Sequence, residues 1–321
     1  MLLLRRAAPL ARGVRAVSTQ DVQEIITRAE GLHRSTLAPL NAQWQGPLEK
    51  NHDQITKLPF VFLLGNHSSG KSTFINYVVG RQIQSTGVAP TDDAFTIIAP
   101  GEEDADQDGP SLVGEPDMGF AGLRMFGPAL IHHTQLKVRT DLATQQFMLV
   151  DSPGMIDSPA MSRSSTERIA ERGYDFEAVT RWFAERADVI LLFFDPDKPG
   201  TTGETLAVLT SALAGHDHKL HIVLNKVDQF AKIHDFARAY GSLCWNLSKV
   251  IHRKDLPRIY TMFVPTSARG GAEGGEVAAA AYEQQHALGD GLRDLESARD
   301  EIVGEVLKAP PRLTSAFTYL Y

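Results

Sequence analysis

The stretch "FLLGNHSSGKSTFINYVVG", residues 62–80, constrains the chain more than any other. It opens as an apolar run, passes through a loop bounded by Gly65 and Gly70, and continues as a helical pattern from Lys71. A lysine at a helix start sits beside the positive end of the helix dipole, where cations are disfavoured. The pattern G-x-x-x-x-G-K-S, directly after a strand and directly before a helix, accounts for the misfit. Its glycines let backbone N–H groups curl around an anion, and the dipole adds favourable potential for phosphate. Lys71 then pairs with β- and γ-phosphate oxygens, and the Ser72 hydroxyl is placed to ligate Mg²⁺. The phosphate cradle comprises Gly65, Asn66, His67, Ser68, Ser69, Gly70, Lys71, Ser72 and Thr73.

From Leu58 the chain alternates strand and helix patterns. Strands are expected at "FVFLL" (60–64), "LKVRT" (136–140), "QFMLVD" (146–151), "DVILLFFD" (188–195), "KLHIVLNK" (219–226) and "RIYTMFVPTSA" (258–268). Helices are expected at 71–80, 175–187, 204–215 and 235–251, and "GEEDADQDGP" (101–110) reads as a polar loop. The most apolar strands are near-continuous hydrophobic runs, as when helices cover both faces of a mainly parallel sheet. The expected fold is therefore an α/β P-loop nucleoside-triphosphatase domain. N- and C-terminal helices flank it and form a small helical domain.

Three later stretches bear on the ligand. "LVDSPG" (149–154) ends a strand with Asp151, able to hold Mg²⁺ through water, and Gly154, whose N–H can meet a γ-phosphate. "VLNKVD" (223–228) places Asp228 to accept from both N1–H and the 2-amino group of guanine, a donor pair that adenine lacks. Asn225 can contact N7, and the aliphatic stem of Lys226 can cover the ring. In "FVPTSA" (263–268), Ser267 and Ala268 form a loop whose Ala268 N–H can meet O6. In this order, each at a strand end, they make a guanine nucleotide, GTP, the leading ligand. "TGVAPTDDAFT" (86–96) reads as a switch segment that closes over Mg²⁺ and the γ-phosphate. Thr91 is its first candidate contact, ahead of Thr86 and Thr96. The metal set is then Ser72, Thr91 and Asp151.

Composition excludes several other classes. Net charge is −7, so there is no global basic footprint for nucleic acid. A single cysteine, Cys244, rules out an internal disulfide framework and reads as a small buried hydrophobe. No apolar run approaches the ~20 residues that span a bilayer. "EEDADQD" (102–108) lacks the glycine and terminal glutamate of a Ca²⁺ loop and reads as solvated. Residues 1–20 carry Arg5, Arg6, Arg12 and Arg15 with no acid, which reads as a transit segment to the mitochondrion or another organelle. The remaining divisions are a helical segment over 21–58, the nucleotide domain over 59–268, a Gly/Ala linker over 269–282 and a C-terminal helical segment over 283–321.

From about residue 29 to about 251 the chain resembles the dynamin superfamily, specifically the EH-domain-containing (EHD) ATPases and sarcalumenin. The P-loop, "PTDDAF", "DSPG", "VLNKVD" and "AYGSLCWNLSKVI" carry the resemblance, and "RGYDFEAVTRWFAERAD" is its most specific marker. The resemblance implies a G domain beside a helical domain, homodimerisation through the G domain, and membrane remodelling at a cytoplasmic membrane face. It also implies ATP preference, against which "PTSA" stands closer to a guanine-reading loop. Where the family has two adjacent threonines after the switch proline, this chain has Thr91 and Asp92. The chain also ends soon after Pro311, without the long helical tip and EH domain of the family.

Met155 follows Gly154, where small GTPases carry a water-orienting glutamine. In dynamin-like proteins the P-loop and a partner G domain take that task, which points to Ser68. Ser68, Lys71 and Thr91 are thus the expected catalytic set of a slow GTPase. Asp92 and Met155 keep open a non-catalytic, nucleotide-gated interaction module.

Overall fold

The computed structural model describes residues 58–85, 94–115, 118–155, 172–197, 203–230, 232–251, 256–265 and 291–309, with isolated positions at 24, 27, 28, 31–37, 39, 40, 43, 56 and 169. The chain divides into two units, Met1–His52 and Asp53–Tyr321. In the first, His33–Leu37 forms a π-helical turn. Everything below concerns the second. Among the described residues no helix is long and apolar enough to cross a membrane.

Eight strands form one sheet: β1 (Phe60–Gly65), β2 (Phe95–Pro100), β3 (Ala105–Asp108), β4 (Thr134–Arg139), β5 (Met148–Asp151), β6 (Val189–Phe194), β7 (Leu220–Leu224) and β8 (Ile259–Thr261). Their spatial order is β3-β4-β2-β5-β1-β6-β7-β8. Five of the seven pairings are parallel; β2–β5 and β3–β4 run antiparallel. β1 is central, with Phe62 in register with Val150 of β5 and Ile190 of β6. The mainly parallel α/β sheet expected from the alternation of runs is therefore what the chain forms.

The helices used below are α1 (Lys71–Val79), α2 (Gly109–Gly114), α3 (Pro128–His132), α4 (Phe176–Arg186), α5 (Gly203–Ala207, continuing as a π-helical turn over Val208–Ala212), α6 (Ile233–Ser248) and α7 (Gly291–Leu307). Alternation along β1 sends successive side chains to opposite faces. Phe60, Phe62 and Leu64 join one core with Phe95, Phe120, Trp182 and Phe183. Val61 and Leu63 join the other with Phe74 and Ile75 of α1 and Ile302 and Val306 of α7. The sheet itself is thus the partner of the amphipathic C-terminal helix. Cys244 of α6 is half-buried and packs against the first core.

The segment read as a polar loop over 101–110 is instead β3 followed by the start of α2. Its acids explain the difference. Asp104 pairs with Arg81 and also accepts from the Thr140 N–H at 2.8 Å. The Arg81 hydrogen bond, followed by the Thr140 bond, holds the Asp104 carboxyl far below its usual range. Asp106 pairs with Arg139 at 2.6 Å. Asp108 caps α2 by accepting from the Ser111 N–H at 3.0 Å. Opposite charge on the neighbouring strand lets an acid-rich edge strand pair. β2 belongs to no run expected from the sequence, and β8 is shorter than the 258–268 expected.

Candidate functional site

The C-terminal ends of β1, β5 and β7 bring the motif residues to one edge of the sheet. The loop from Gly65 to Lys71 turns twice through the left-handed region, at Ser68 (φ 62°) and Gly70 (φ 91°). A serine there is uncommon, and successive turns of this kind aim backbone N–H groups inward, as an anion cradle requires. A Cβ on Gly70 would lie 2.2 Å from Asn225 Nδ2, and one on Gly65 would lie 2.6 Å from the Phe193 carbonyl. Both glycines are held by contact as well as by backbone conformation.

Lys71 is the first residue of α1 and only 7% exposed. Its Nζ donates to the carbonyls of Gly65 at 2.9 Å and Asn66 at 3.2 Å. Burial pushes its pKa down, Asp151 opposes that, and Arg172 adds to it. A buried ammonium with a second cation nearby is what an incoming polyphosphate would stabilise. Ser69 donates from both N–H and Oγ to the Asn66 carbonyl, at 3.2 and 2.8 Å, closing the loop on itself. Thr73 sits half-buried one turn into α1.

Asp151 ends β5 and is 3% exposed. Its Oδ2 lies 3.5 Å from Ser72 Oγ and accepts from Gln84 Nε2 at 2.8 Å. Gln84 Oε1 in turn accepts from Lys137 Nζ at 2.7 Å. The carboxylate is therefore oriented by a chain of side chains that the sequence reading did not name. A hydroxyl and a carboxylate oxygen at this spacing suit one hard cation, held directly or through its water. Ser72 and Asp151 fit Mg²⁺ on that ground. Among the described residues no group of three or more His, Cys, Asp or Glu is arranged for a metal.

Asn225, 2% exposed, donates from Nδ2 to the Ser69 carbonyl at 2.9 Å, so the "NKVD" loop is tied to the P-loop. Its Oδ1 is buried without a hydrogen-bond partner among the described residues. Lys226 takes a left-handed backbone (φ 59°) and its Nζ pairs with Asp195 Oδ2 at 2.7 Å. Asp228 lies half-buried in the short turn Val227–Gln229 beside them. The ammonium is anchored at its tip, which leaves the aliphatic stem as the face available to a base.

Gly154 lies against the P-loop: a Cβ there would stand 2.5 Å from the His67 ring. Met155, the residue in the water-orienting position, is buried in the core at 1% exposure and has no polar atom to offer water. Ser68 is exposed at the loop tip. Thr96 is a strand residue, fully buried, accepting from Gln135 Nε2 at 2.7 Å. Thr86, Thr91, Asp92, Ser267 and Ala268 lie outside the described residues, as does the arginine-rich stretch 1–20. Two further residues touch the cradle that the motifs do not name. Thr205 donates to Asn66 Oδ1 at 3.1 Å, and Arg172 donates to the Gly154 carbonyl at 2.9 Å.

Residues 61–227, just over half of the chain, match the model of the dynamin family. EH domain-containing protein 1 of Arabidopsis thaliana is 33% identical over 257 residues, covering 78% of this chain and 45% of that protein. EH domain-containing protein 3 of Homo sapiens is 34% identical over 251 residues, covering 75% and 45%. The chain thus spans less than half the length of these curated relatives. A chain from an oligomerised bacterial dynamin pair overlays with a TM-score of 0.44 at 14% identity, covering 94% of this chain and 48% of that one. The family assignment stands on the sequence matches: the chain belongs to the dynamin family and within it is similar to the EH domain-containing proteins.

Proposed function

We propose that residues 59–268 form a dynamin-type G domain that binds GTP with Mg²⁺ and hydrolyses it slowly to GDP and phosphate. The observation that carries this reading is Lys71, buried at the start of α1 under a loop turned twice through the left-handed region, beside Ser72 and Asp151. Ser68 and Thr91 complete the catalytic set, and Ser72, Thr91 and Asp151 hold the metal. Mg²⁺, when bound, neutralises charge on the phosphates. Met155 offers no water-orienting group, so unassisted turnover is expected on the order of 10⁻⁴–10⁻² per second. Single-turnover hydrolysis by the full chain tests this. Rates within that range support an enzyme, and no turnover with nucleotide bound supports a nucleotide-gated interaction module.

Asp228 decides the base in this reading. Asp228→Asn removes an acceptor for two guanine donors. It should weaken GTP by at least about tenfold, since a buried polar group left unpaired costs about 1–3 kcal/mol and 1.4 kcal/mol is one decade. Xanthosine triphosphate should bind the variant more tightly than the wild type, because its 2-oxo group accepts from the new amide. Unchanged GTP and xanthosine triphosphate affinities would leave the second reading, an adenine nucleotide site. That reading is favoured by the match to the EHD proteins at 33–34% identity.

Pairing of two chains through the G domain belongs to the same proposal. Its support is Trp245 on α6, 68% exposed, with Lys249 Nζ 5.3 Å from its ring centroid. Large aromatic side chains are enriched at protein interfaces relative to the rest of the surface. A sedimentation boundary that stays monomeric with and without triphosphate would remove this part. Membrane association belongs to the same proposal, and its check is co-sedimentation of the full chain with liposomes; a chain left in the supernatant would remove it. Organelle targeting by residues 1–20 is checked with a fused reporter; a reporter left in the cytosol would reject it.

A further inference from the structure

One buried ion pair outside the nucleotide motifs lies against the loop that carries Gly154. Arg172 meets Glu204 through two bonds, Nε to Oε1 at 3.2 Å and Nη2 to Oε2 at 3.0 Å, with both side chains 9% exposed. The same Nη2 donates to the Gly154 carbonyl at 2.9 Å, and the guanidinium lies 4.3 Å over the Phe176 ring. Apolar side chains of the same volume often stabilise a fold as well as a buried ion pair does. The pair therefore calls for a reason beyond packing, and its position supplies one.

The Gly154–Met155 peptide is pinned at both ends. Its carbonyl accepts from Arg172, and its N–H, on Met155, donates to the Gly65 carbonyl at 3.2 Å. With that peptide fixed, rotation about Gly154 is restricted, and so is the direction of the Gly154 N–H, the donor assigned to the γ-phosphate. Glu204 has a neighbour with a matching role: Thr205 donates to Asn66 Oδ1 at 3.1 Å. Two consecutive residues of α5 thus grip the two loops, one directly and one through Arg172.

We propose that Arg172 is a positioning residue that aims the Gly154 N–H at the γ-phosphate, and that Glu204 couples the state of that loop to α5. The proposal rests on the nucleotide-binding reading above. It predicts that the pair sets the preference for triphosphate over diphosphate and not nucleotide affinity as such. The test measures binding of fluorescent GTPγS and GDP, and of their adenine counterparts, to the full chain. Arg172→Met combined with Glu204→Gln removes both charges, so no unpaired buried carboxylate remains. Triphosphate affinity should fall about tenfold or more while diphosphate affinity stays within about threefold, the loss of one charge-assisted bond. Arg172→Lys keeps the charge without the two-pronged geometry and should fall between. A wild-type triphosphate-to-diphosphate ratio, or an equal fall for both, overturns the proposal. If the double variant does not fold, the same two outcomes in Arg172→Lys decide it. If the wild type binds neither nucleotide, the underlying reading fails and takes this inference with it.

Discussion

Lys71→Ala is expected to abolish measurable triphosphate binding while leaving the fold intact. The ammonium sits where its two carbonyl bonds to Gly65 and Asn66 can be exchanged for phosphate oxygens. Bonds to a charged group are worth about 1.5–3 kcal/mol each, so losing two weakens binding by roughly two to four decades. Stability should move little. Truncation removes a buried cation beside the positive end of α1, which is unfavourable there, and alanine has the highest helix propensity. The Asn66 carbonyl still accepts from Ser69 N–H and Oγ. A melting temperature within a few degrees of wild type, with no titratable nucleotide signal, is the expected pair of results. Wild-type affinity would remove the P-loop assignment. A variant that does not fold would make Lys71 a structural lysine.

Phe183→Ala should lower stability by about 3–5 kcal/mol, the range for truncating a fully buried aromatic residue. Phe183 lies at the centre of the larger core. It stacks on Phe95 at 5.1 Å and on Phe62 at 5.3 Å, and meets Trp182 edge-on at 5.1 Å. Phe62 is the middle of β1, so the cavity opens directly beneath the strand that launches the P-loop. For a unit of this size the melting temperature should fall by roughly 6–20 °C. Nucleotide affinity measured well below that transition should change far less, because no cradle residue touches the ring in the described contacts. An unchanged melt would contradict the core assignment.

The parts legible in the sequence were those with a local signal. β1, β6 and β7 are unbroken apolar runs because helices cover both faces, and Gly65, Gly70 and Lys71 announce the cradle by type and spacing. β3 carries no such signal: "ADQD" is an edge strand paired antiparallel with β4 and held in part by the Asp106–Arg139 ion pair across it. β2 begins inside the segment read as a switch, which ends at Thr96, and no expected run covers Ile97 to Pro100. The supports of the site are long-range. Arg172 meets Glu204 across 32 residues, Thr205 meets Asn66 across 139, and Gln84 meets Asp151 across 67. No periodicity or spacing joins positions so far apart. The string "RGYDF" marked Arg172 as distinctive but gave it no partner. Lys226 shows a smaller shift of the same kind, since its ion pair with Asp195 is invisible in "VLNKVD" alone.

The central claim is that this chain takes a nucleoside triphosphate in the loop between β1 and α1. The most direct measurement is titration of the full chain with fluorescent GTP and ATP at matched Mg²⁺, with Lys71→Ala alongside. The account predicts saturable one-to-one binding, GTP tighter than ATP by at least about tenfold, and no signal from the variant. Equal affinities would replace the guanine assignment with an adenine one. No saturable binding of either nucleotide to the wild type would contradict the account at its root.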